Sequence, residues 1–368
     1  MSQKHTVKQI TSYLEEFAPL SSQESYDNAG LIVGDPSQEV SSVLLSLDCT
    51  EEVVEEAIKI GANLIIAHHP IVFSGLKRIN GKNYVERTVI KAIKHDIALY
   101  AIHTNLDNYR FGVNAEIGKR LKLSNLSILS PAQNKLNKII VFCPKENCGS
   151  VLQAMFAAGA GNIGNYDECS FESSGVGSFR PNESSRPSIG SHGKRESINE
   201  GKLEVIVSSH KLAGVILAMK KAHPYEEVAH DILPLLNKNE YEGAGMIGEL
   251  EEPMSTKEYL KLIKNTFNCS IIRHTAITKK AIKKVAFCGG SGSFLLGSAK
   301  AKKADIFITG DYKYHEFFDA EKTIIIADIG HYESEQFTPN LLHGILKKNF
   351  VNFAFHLSKV NTNPINYF

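Results

Sequence analysis

Apolar and polar residues follow two different spacings along the first 130 residues. Continuous apolar runs, typical of strands that are buried on both faces, alternate with segments in which apolar residues recur at helical spacing. The predicted strands lie at 39–49, 62–70 and 97–107, and the predicted helices at 51–61 and 86–96. Thr50 is placed to cap the first helix and Gly61 to end it. The alternation predicts a parallel, doubly wound sheet with right-handed crossovers.

The pattern changes between residues 131 and 240, where the predicted order is strand, helix, strand, strand, helix, strand. This βαββαβ order is that of a ferredoxin-like domain. The connection between its two middle strands is a polar stretch rich in Gly, Ser, Pro and Arg at 174–200. From 241 to 368 the alternation of strands and helices returns, with Ser255 and Glu258 forming a capping box. We therefore predict an α/β protein whose discontinuous, doubly wound core (1–130 and 241–368) is interrupted by an inserted ferredoxin-like domain (131–240).

Composition narrows the classes of function. At 368 residues the chain is long enough for two domains, and its 43% hydrophobic and 22% charged residues are ordinary for a globular protein. The 41 basic residues are balanced by 40 acidic ones, so net charge gives no argument for nucleic acid or an anionic membrane as partner. The sequence contains neither a signal-type leader nor 18 uninterrupted apolar residues, and we expect a cytoplasmic protein.

Polar, metal-binding residue types follow four of the predicted strands. They are His68 and His69; His103 and Asp107; Asp311 and His315; and Asp328, His331 and Glu335. Ligands bind beyond the carboxyl ends of strands in such sheets, and imidazoles with carboxylates are common ligands of transition metals. His331 and Glu335 are spaced i, i+4 at the start of a predicted helix, so they share one face. Adjacent His68 and His69 can reach two neighbouring points at a strand end turned by Pro70, which suggests two metal ions.

Each of these signals alone has a simpler interpretation. A single histidine among 14 is more often a surface residue or a hydrogen-bonded core residue than a ligand, and an isolated H-x-x-x-E is weak. The convergence of a histidine doublet, an aspartate and an H-x-x-x-E pair on the same edge of one predicted sheet favours the metal site.

Two other segments leave their function open. "VAFCGGSGSFLLG" is a Gly-rich turn between a strand and a helix, where backbone N–H groups can hold an anion, but it lacks the Walker and dinucleotide patterns. Its candidate phosphate-binding residues are Gly290, Ser291, Gly292 and Ser293, although a tight turn needs no ligand. "KAHPYEEVAHDI" in the inserted domain is most simply structural, with a lid over the metal cleft as the functional alternative.

Six motifs in order closely resemble the NIF-three-like family, whose bacterial members carry the name GTP cyclohydrolase 1 type 2 homologue. They are "SYDNAGLIVGD", "AHHPIVF", "HTNLD", "CGGSGS", "TGDYKYHEFFDA" and "DIGHYESE". The resemblance covers the whole chain, because long bacterial members carry an insert similar to the CutA and PII fold. It implies a toroidal homohexamer and two divalent metal ions per chain, either zinc, iron or manganese. The implied metal ligands are His68, His69, Asp107, His331 and Glu335, with His103 and Asp311 as near neighbours that orient them.

The predicted chemistry is metal-assisted hydrolysis, because a divalent ion lowers the pKa of a bound water to near neutrality. Glu335 is the catalytic candidate. The family resemblance implies a nucleotide-like small-molecule substrate, with ring opening of GTP and release of formate. Two alternatives remain: a metal-binding regulatory or sensor protein without turnover, and a metal-dependent phosphoesterase.

Overall fold

The computed structural model describes residues 4–368. Residues 132–240 form one compact unit, and the described residues before and after them form the other, which we call the core unit. No helix within the described range is both long and apolar enough to cross a membrane.

Seventeen strands and eleven α-helices make up these units in the described range. The strands are β1 (His5–Thr6), β2 (Gly30–Val33), β3 (Glu39–Val40), β4 (Val43–Ser46), β5 (Leu64–Ala67), β6 (Ala98–Ala101), β7 (Ser124–Ala132), β8 (Leu136–Pro144), β9 (Ser170–Phe179), β10 (Glu196–Ser208), β11 (His230–Leu235), β12 (Asn239–Ser255), β13 (Arg273–His274), β14 (Ala281–Ser291), β15 (Ile306–Gly310), β16 (Ile325–Asp328) and β17 (Phe355–Leu357). The helices are α1 (Val7–Phe17), α2 (Glu51–Ile60), α3 (Tyr84–Lys94), α4 (Thr104–Asp107), α5 (Val113–Arg120), α6 (Cys148–Ala157), α7 (Leu212–Ala222), α8 (Thr256–Thr266), α9 (Leu296–Ala301), α10 (His331–Glu335) and α11 (Thr338–Asn349).

A five-stranded sheet of the core unit holds the first predicted strands. Its order is β17-β4-β5-β6-β2, and all neighbours are parallel except β2 with β6. Every residue of β4, β5 and β6 is buried, as the continuous apolar runs predict. The predicted boundaries of α2 are confirmed: the Thr50 hydroxyl accepts from the amide of Val53, and Gly61 ends the helix with a left-handed φ of 72°.

A second sheet of the core unit has six strands in the order β13-β16-β15-β14-β12-β7. Strands β14, β15 and β16 are parallel, whereas β12 pairs antiparallel with β14 and β13 antiparallel with β16. The predicted mixed α/β class is confirmed, but the expectation of one doubly wound sheet is wrong. The strand and helix segments before residue 131 and after residue 240 have the same apolar pattern. Such a pattern predicts strands, but it does not indicate which of them belong to the same sheet.

The inner faces of both sheets pack on one shared hydrophobic core. Val43 of β4 and Ile66 of β5 belong to the same buried cluster as Val285 of β14 and Ile306 of β15. Helices α1, α5, α8 and α11 contribute to this cluster, while α2 packs on the outer face of the five-stranded sheet and α9 on that of the six-stranded sheet. The packing places carboxyl ends of parallel strands from both sheets beside each other.

The unit of residues 132–240 has a single antiparallel sheet in the order β11-β8-β10-β9. Helices α6 and α7 pack on it through Val151, Met155, Val215 and Met219. The element order is β8, α6, β9, β10, α7, β11. The polar stretch predicted as a loop at 174–200 is partly strand, because residues 174–179 pair with 196–201 and extend the hairpin. Gly and Ser have weak strand propensity, so this pairing was not visible in the sequence.

Candidate metal centre

The histidine doublet lies directly beyond β5, as expected. The amides of His68 and His69 donate to the carbonyls of Ser46 (3.2 Å) and Leu47 (2.9 Å), so the backbone continues beside β4 to this point. His68 is fully buried and His69 is partly exposed. The two ring centroids are 4.9 Å apart with planes at 44°. The two imidazoles therefore reach the same region, whereas successive side chains of a regular strand point to opposite faces of the sheet.

The Nδ1 atom of each imidazole in the centre is held by an acceptor. His68 Nδ1 lies 2.7 Å from the carbonyl oxygen of Ile102, His69 Nδ1 lies 2.7 Å from Asp48, and His331 Nδ1 lies 2.6 Å from Asp311. Because each acceptor receives a hydrogen bond from Nδ1–H, Nε2 is the nitrogen of all three rings that a metal ion could use.

The three Nε2 atoms converge on the Glu335 carboxylate. One oxygen of Glu335 lies 3.0 Å from His69 Nε2 and 3.1 Å from His331 Nε2, and the other lies 3.9 Å from His68 Nε2. One ligand atom from each of His68, His69 and Glu335 lies within 4.8 Å of the others. His331 and Glu335 follow strand β16 of the six-stranded sheet, whereas the doublet follows β5, so the centre joins the ends of two sheets.

Asp107 completes the cluster at the end of α4, with its Oδ1 3.4 Å from His68 Nε2. Neither of these two buried atoms has a hydrogen-bond partner among the described residues. Burying two acceptor atoms such as His68 Nε2 and Asp107 Oδ1 without a donor lowers the stability of the folded state, and a cation between them would satisfy both. Two carboxylates and three imidazoles are also a chemically suitable donor set for divalent transition metals. The residues present therefore fit the metal ions that the sequence resemblance implies.

The ionisation of the cluster reflects this crowding. Burial raises the pKa of Asp107 well above its usual range, and the negative charge of Glu335 adds to the effect. Burial lowers the pKa of His68 to about 3. Burial opposes a charge on His69, but hydrogen bonds with Asp48 and Glu335 outweigh it and raise the pKa of His69 to about 9. For Glu335 burial is likewise outweighed, because the imidazoles of His331 and His69 hold its pKa well below the usual range.

Two backbone features bring the second half of the centre into place. Gly290 has a left-handed φ of 60°, and a Cβ added to it would lie 2.5 Å from Glu335 Oε1. Asp311 also has a left-handed φ, 56°, immediately after β15, and its carboxylate binds His331. Aspartate is one of the few side chains that tolerate this conformation.

His103 lies beside this cluster, and its ring centroid is 5.4 Å from those of His68 and His69. Its Nδ1 is 2.7 Å from Asp27, which also accepts from the amide of Thr104 at 3.0 Å. Burial of Asp27 is outweighed by these hydrogen bonds, which lower its pKa to about 2. His103 thus has the same acceptor-bound Nδ1 as the three imidazoles of the centre.

A cavity of about 300 Å³ opens over these groups, and His103, Asp107, His331 and Glu335 line it. Three aromatic side chains also line it and are largely exposed: Tyr26 (62%), Phe73 (48%) and Phe294 (69%). We call Tyr26, Phe73 and Phe294 the aromatic rim. The cavity is in the size range of small-molecule sites.

The Gly-rich turn borders the same cavity through Gly289, Gly290 and Ser291. The amide of Gly290 is not free to bind an anion, because it donates to the Ser334 hydroxyl at 2.9 Å. Gly292 has a different constraint, since a Cβ there would lie 2.6 Å from that of Cys288. Ser293 begins a short 3₁₀ helix. Close packing thus accounts for the two glycines, and the Ser291 hydroxyl remains a candidate for phosphate.

Two polar residues singled out at strand ends have other roles. Asp328 pairs with Arg273 and accepts from the amides of Tyr312 and Gly330, both at 3.0 Å, so it holds turns beside the centre. The exposed His315 packs its ring against Tyr314 and Phe318.

The sequence matches the family described as Duf34/NIF3 (NGG1p interacting factor 3) over residues 5–364. The chain belongs to the DUF34/NIF3 family. The family resemblance predicted from the motifs is thereby confirmed.

DUF34/NIF3 relatives match nearly the whole chain. The GTP cyclohydrolase 1 type 2 homolog of Halalkalibacterium halodurans is 38% identical over 363 residues, covering 97% of this chain and 98% of the relative. The homolog of the same name from Bacillus subtilis is 37% identical and covers 98% of each. The crystal structure of a Bacillus cereus protein related to NIF3 superposes with a TM-score of 0.87 at 37% identity over 100% of both chains.

The sequence interpretation of this DUF34/NIF3 chain missed Asp48 and Asp27, the carboxylates that bind His69 and His103. Asp48 follows β4, so the strand-end rule that singled out the other residues applies to it as well. Asp27 lies within the "SYDNAG" motif, far from any predicted strand end, and only the family motif drew attention to it.

Proposed function

We propose that this protein is a hydrolase that uses two divalent metal ions and acts on a nucleotide-like substrate. One observation carries the proposal: three imidazole nitrogens and two carboxylates converge beside a cavity of about 300 Å³ that Asp107, His331 and Glu335 line, and two of their buried atoms lack a partner among the described residues. His68, His69, Asp107, His331 and Glu335 would hold the ions. Bound divalent ions would supply Lewis acidity and a water of lowered pKa.

The chain's own residues would prepare the site for this chemistry. Ile102, Asp48 and Asp311 fix the three imidazoles with Nε2 facing Glu335. Glu335 lies between two rings and would keep their nitrogens at a fixed separation. His103 lines the cavity with Nδ1 bound to Asp27, so its Nε2 is the nitrogen left to exchange a proton with a substrate.

The shape of the cavity supports a planar substrate. The aromatic rim offers exposed ring faces beside the centre, and heterocycles stack favourably on such faces. Ser291 of the Gly-rich turn lines the same cavity and would donate to a phosphate group. The relatives named GTP cyclohydrolase 1 type 2 homolog make a purine nucleotide the first candidate.

Two features of architecture belong to the proposal. The unit 132–240, with its βαββαβ order, would be a ferredoxin-like domain inserted into a discontinuous core of 1–130 and 241–368. The assembly would be a toroidal homohexamer, as the family resemblance implies. Light scattering of the purified protein tests the second point, and a mass of one or two chains would contradict it.

A nucleotide panel with metal-loaded protein tests the activity. Formate released with the triphosphate intact identifies a cyclohydrolase, and free phosphate identifies a phosphoesterase. Elemental analysis should find two metal ions per chain. Glu335→Gln should abolish turnover and lower metal content, because it removes the charge that two imidazoles contact. Glu333→Gln is the matched control on the same helix: its carboxylate is bound by Asn363 (3.4 Å) and faces none of the three imidazoles, so activity should persist.

A sensor without turnover is the second candidate, and one observation favours it. The unit 132–240 has its own cavity of about 600 Å³, lined by Arg180 and Arg186 as well as Glu200 and Tyr225. Such a cavity suits a small ligand with groups of both charges. Absence of formate and phosphate with every nucleotide, together with nucleotide binding to metal-loaded protein, would favour this function over hydrolysis.

A further inference from the structure

Residues 358–363, which we call the 358–363 segment, run beside the first strand end of the metal centre. β17 pairs in parallel with β4, and the Ser358 amide continues this pairing by donating to the carbonyl of Leu45 at 2.8 Å. The Ser358 hydroxyl and the Lys359 amide then bind Glu56 of α2 at 2.5 and 3.0 Å. The segment therefore follows β4 toward Asp48, which lies three residues after Leu45.

Thr362 in this segment contacts the carboxylate that orients a histidine of the centre. Its hydroxyl donates to Asp48 Oδ2 at 2.5 Å, while Asp48 Oδ1 accepts from His69 Nδ1 at 2.7 Å. His69 Nε2 in turn lies 3.0 Å from Glu335. Three short contacts thus connect Thr362 to the middle of the proposed metal centre.

We propose that Thr362 is a positioning residue of the metal centre: its hydroxyl fixes the Asp48 carboxylate, and this fixes the ring of His69 with Nε2 toward the metal. The inference rests on the proposed function. The terminal torsion of an aspartate is soft, so one hydrogen bond to His69 leaves the carboxylate free to rotate. A second bond to the other oxygen removes this freedom and holds Oδ1 in the plane that His69 requires.

Ser358 provides a matched control within the same segment. Its hydroxyl makes a hydrogen bond of the same 2.5 Å length to a carboxylate, but that carboxylate belongs to Glu56, whose partners are Ser358 and Lys359. The Ser358 hydroxyl also accepts from the amide of Val360 at 3.2 Å, so its loss should loosen the 358–363 segment at least as much as loss of the Thr362 hydroxyl. Only the loss of the Thr362 hydroxyl should change the orientation of the His69 ring.

The test measures metal affinity of the full chain, with Zn²⁺ competed against a chromophoric chelator and Co²⁺ followed by its visible spectrum. Thr362→Val should weaken binding about tenfold, the lower end of the range for outer partners of ligands, and should change the Co²⁺ spectrum. Thr362→Ser, which keeps the hydroxyl, should restore both, and Ser358→Ala should bind as the wild type does.

Equal affinities of Thr362→Val and Ser358→Ala would overturn the proposal, whether both are unchanged or both are weakened. If Thr362→Val does not fold, Thr362→Ser against Thr362→Ala gives the same comparison, and equal affinity of that pair also overturns it. Failure of the proposed metal centre is a different result, because then the wild type itself would bind no metal. Failure of hydrolysis alone is seen in the nucleotide panel and leaves the order of these metal affinities unchanged.

Discussion

Gly290 gives a sharp test of how tightly the metal centre is packed. Its φ of 60° is left-handed, and a Cβ there would lie 2.5 Å from Glu335 Oε1 and 3.3 Å from His331 Cε1. Gly290→Ala therefore places a methyl group against two of the proposed metal ligands. The backbone of Gly290 cannot easily move away from this clash, because its amide donates a hydrogen bond to the Ser334 hydroxyl and its carbonyl accepts one from the Thr309 hydroxyl.

The magnitude of the effect follows from two costs. An alanine in the left-handed region costs about 1–2 kcal/mol. To reach an ordinary contact of 3.4 Å, Glu335 must move by about 0.9 Å, and inserting a methyl group into a packed site costs about 1–3 kcal/mol. We expect a loss of about 3 kcal/mol, which lowers the Tm of a unit of this size by roughly 6–12 °C. A shift near 1 Å exceeds what metal sites tolerate, so metal affinity should fall at least about tenfold.

Thermal unfolding and chelator competition measure both effects. Gly297→Ala is the control, because nothing lies within 4 Å of a Cβ there and the residue is in α9. That change should stabilise by up to about 1 kcal/mol and leave metal binding intact. A Gly290→Ala protein with the Tm and metal content of the wild type would refute the reasoning. Lost stability with full metal binding would show that Glu335 can move without harm.

Two further predictions concern regions away from the centre. Asp305 accepts from the amides of Lys283 (2.9 Å) and Lys284 (2.8 Å) and pairs with Lys279; burial is outweighed by these bonds, which lower its pKa. Asp305→Asn should therefore reduce the free energy of unfolding by about 1–2 kcal/mol at pH 7. Because the pKa of Asp305 is lowered in the folded protein, this difference should begin to shrink as the pH falls below about 4, the usual aspartate value, and should vanish only below the lowered pKa, where the folded wild type is protonated. Denaturant titration across this pH range checks this, and a constant difference would contradict it. Deleting 133–238 and closing the gap with a short Asn-Gly linker should leave a folded core unit that binds metal, because β7 and β12 are neighbours in the six-stranded sheet. Circular dichroism checks the folding and elemental analysis checks the metal content. Aggregation of the shortened protein would refute the domain division.

The strand-end rule explains why much of the centre was visible in the sequence. His68, His69 and Glu335 were predicted to meet because each follows a strand whose carboxyl end must lie at a sheet edge, and the structure brings them together. The rule treats each sheet separately, so it could not indicate that the edges of two sheets face each other. The shared core of Val43 and Val285 settles that arrangement, and it depends on tertiary packing rather than on local pattern.

The role of the Gly-rich turn was less visible for a related reason. A glycine in a sequence marks either unusual backbone conformation or close approach, and the sequence does not say to which neighbour. Gly290 meets both conditions against Glu335, a residue 45 positions away in the chain. The contact between Asp48 and Thr362 spans 314 positions, and no spacing rule connects such residues.

The acceptors behind the imidazoles bear on the number of metal ions. The fully buried His68 is bound by a neutral carbonyl, whereas the more exposed His69 and His331 are bound by Asp48 and Asp311. This division follows from the cost of burying charge, since a carboxylate behind His68 would have to be desolvated completely. The centre then has four carboxylates, Asp107, Glu335, Asp48 and Asp311, around three rings that bind metal in their neutral form. One divalent ion would balance the buried Asp107 and Glu335, and a second would balance Asp48 and Asp311, which are 32% and 47% exposed. The proposed dinuclear centre therefore leaves no net charge, whereas a single ion leaves the two less buried carboxylates for water to screen.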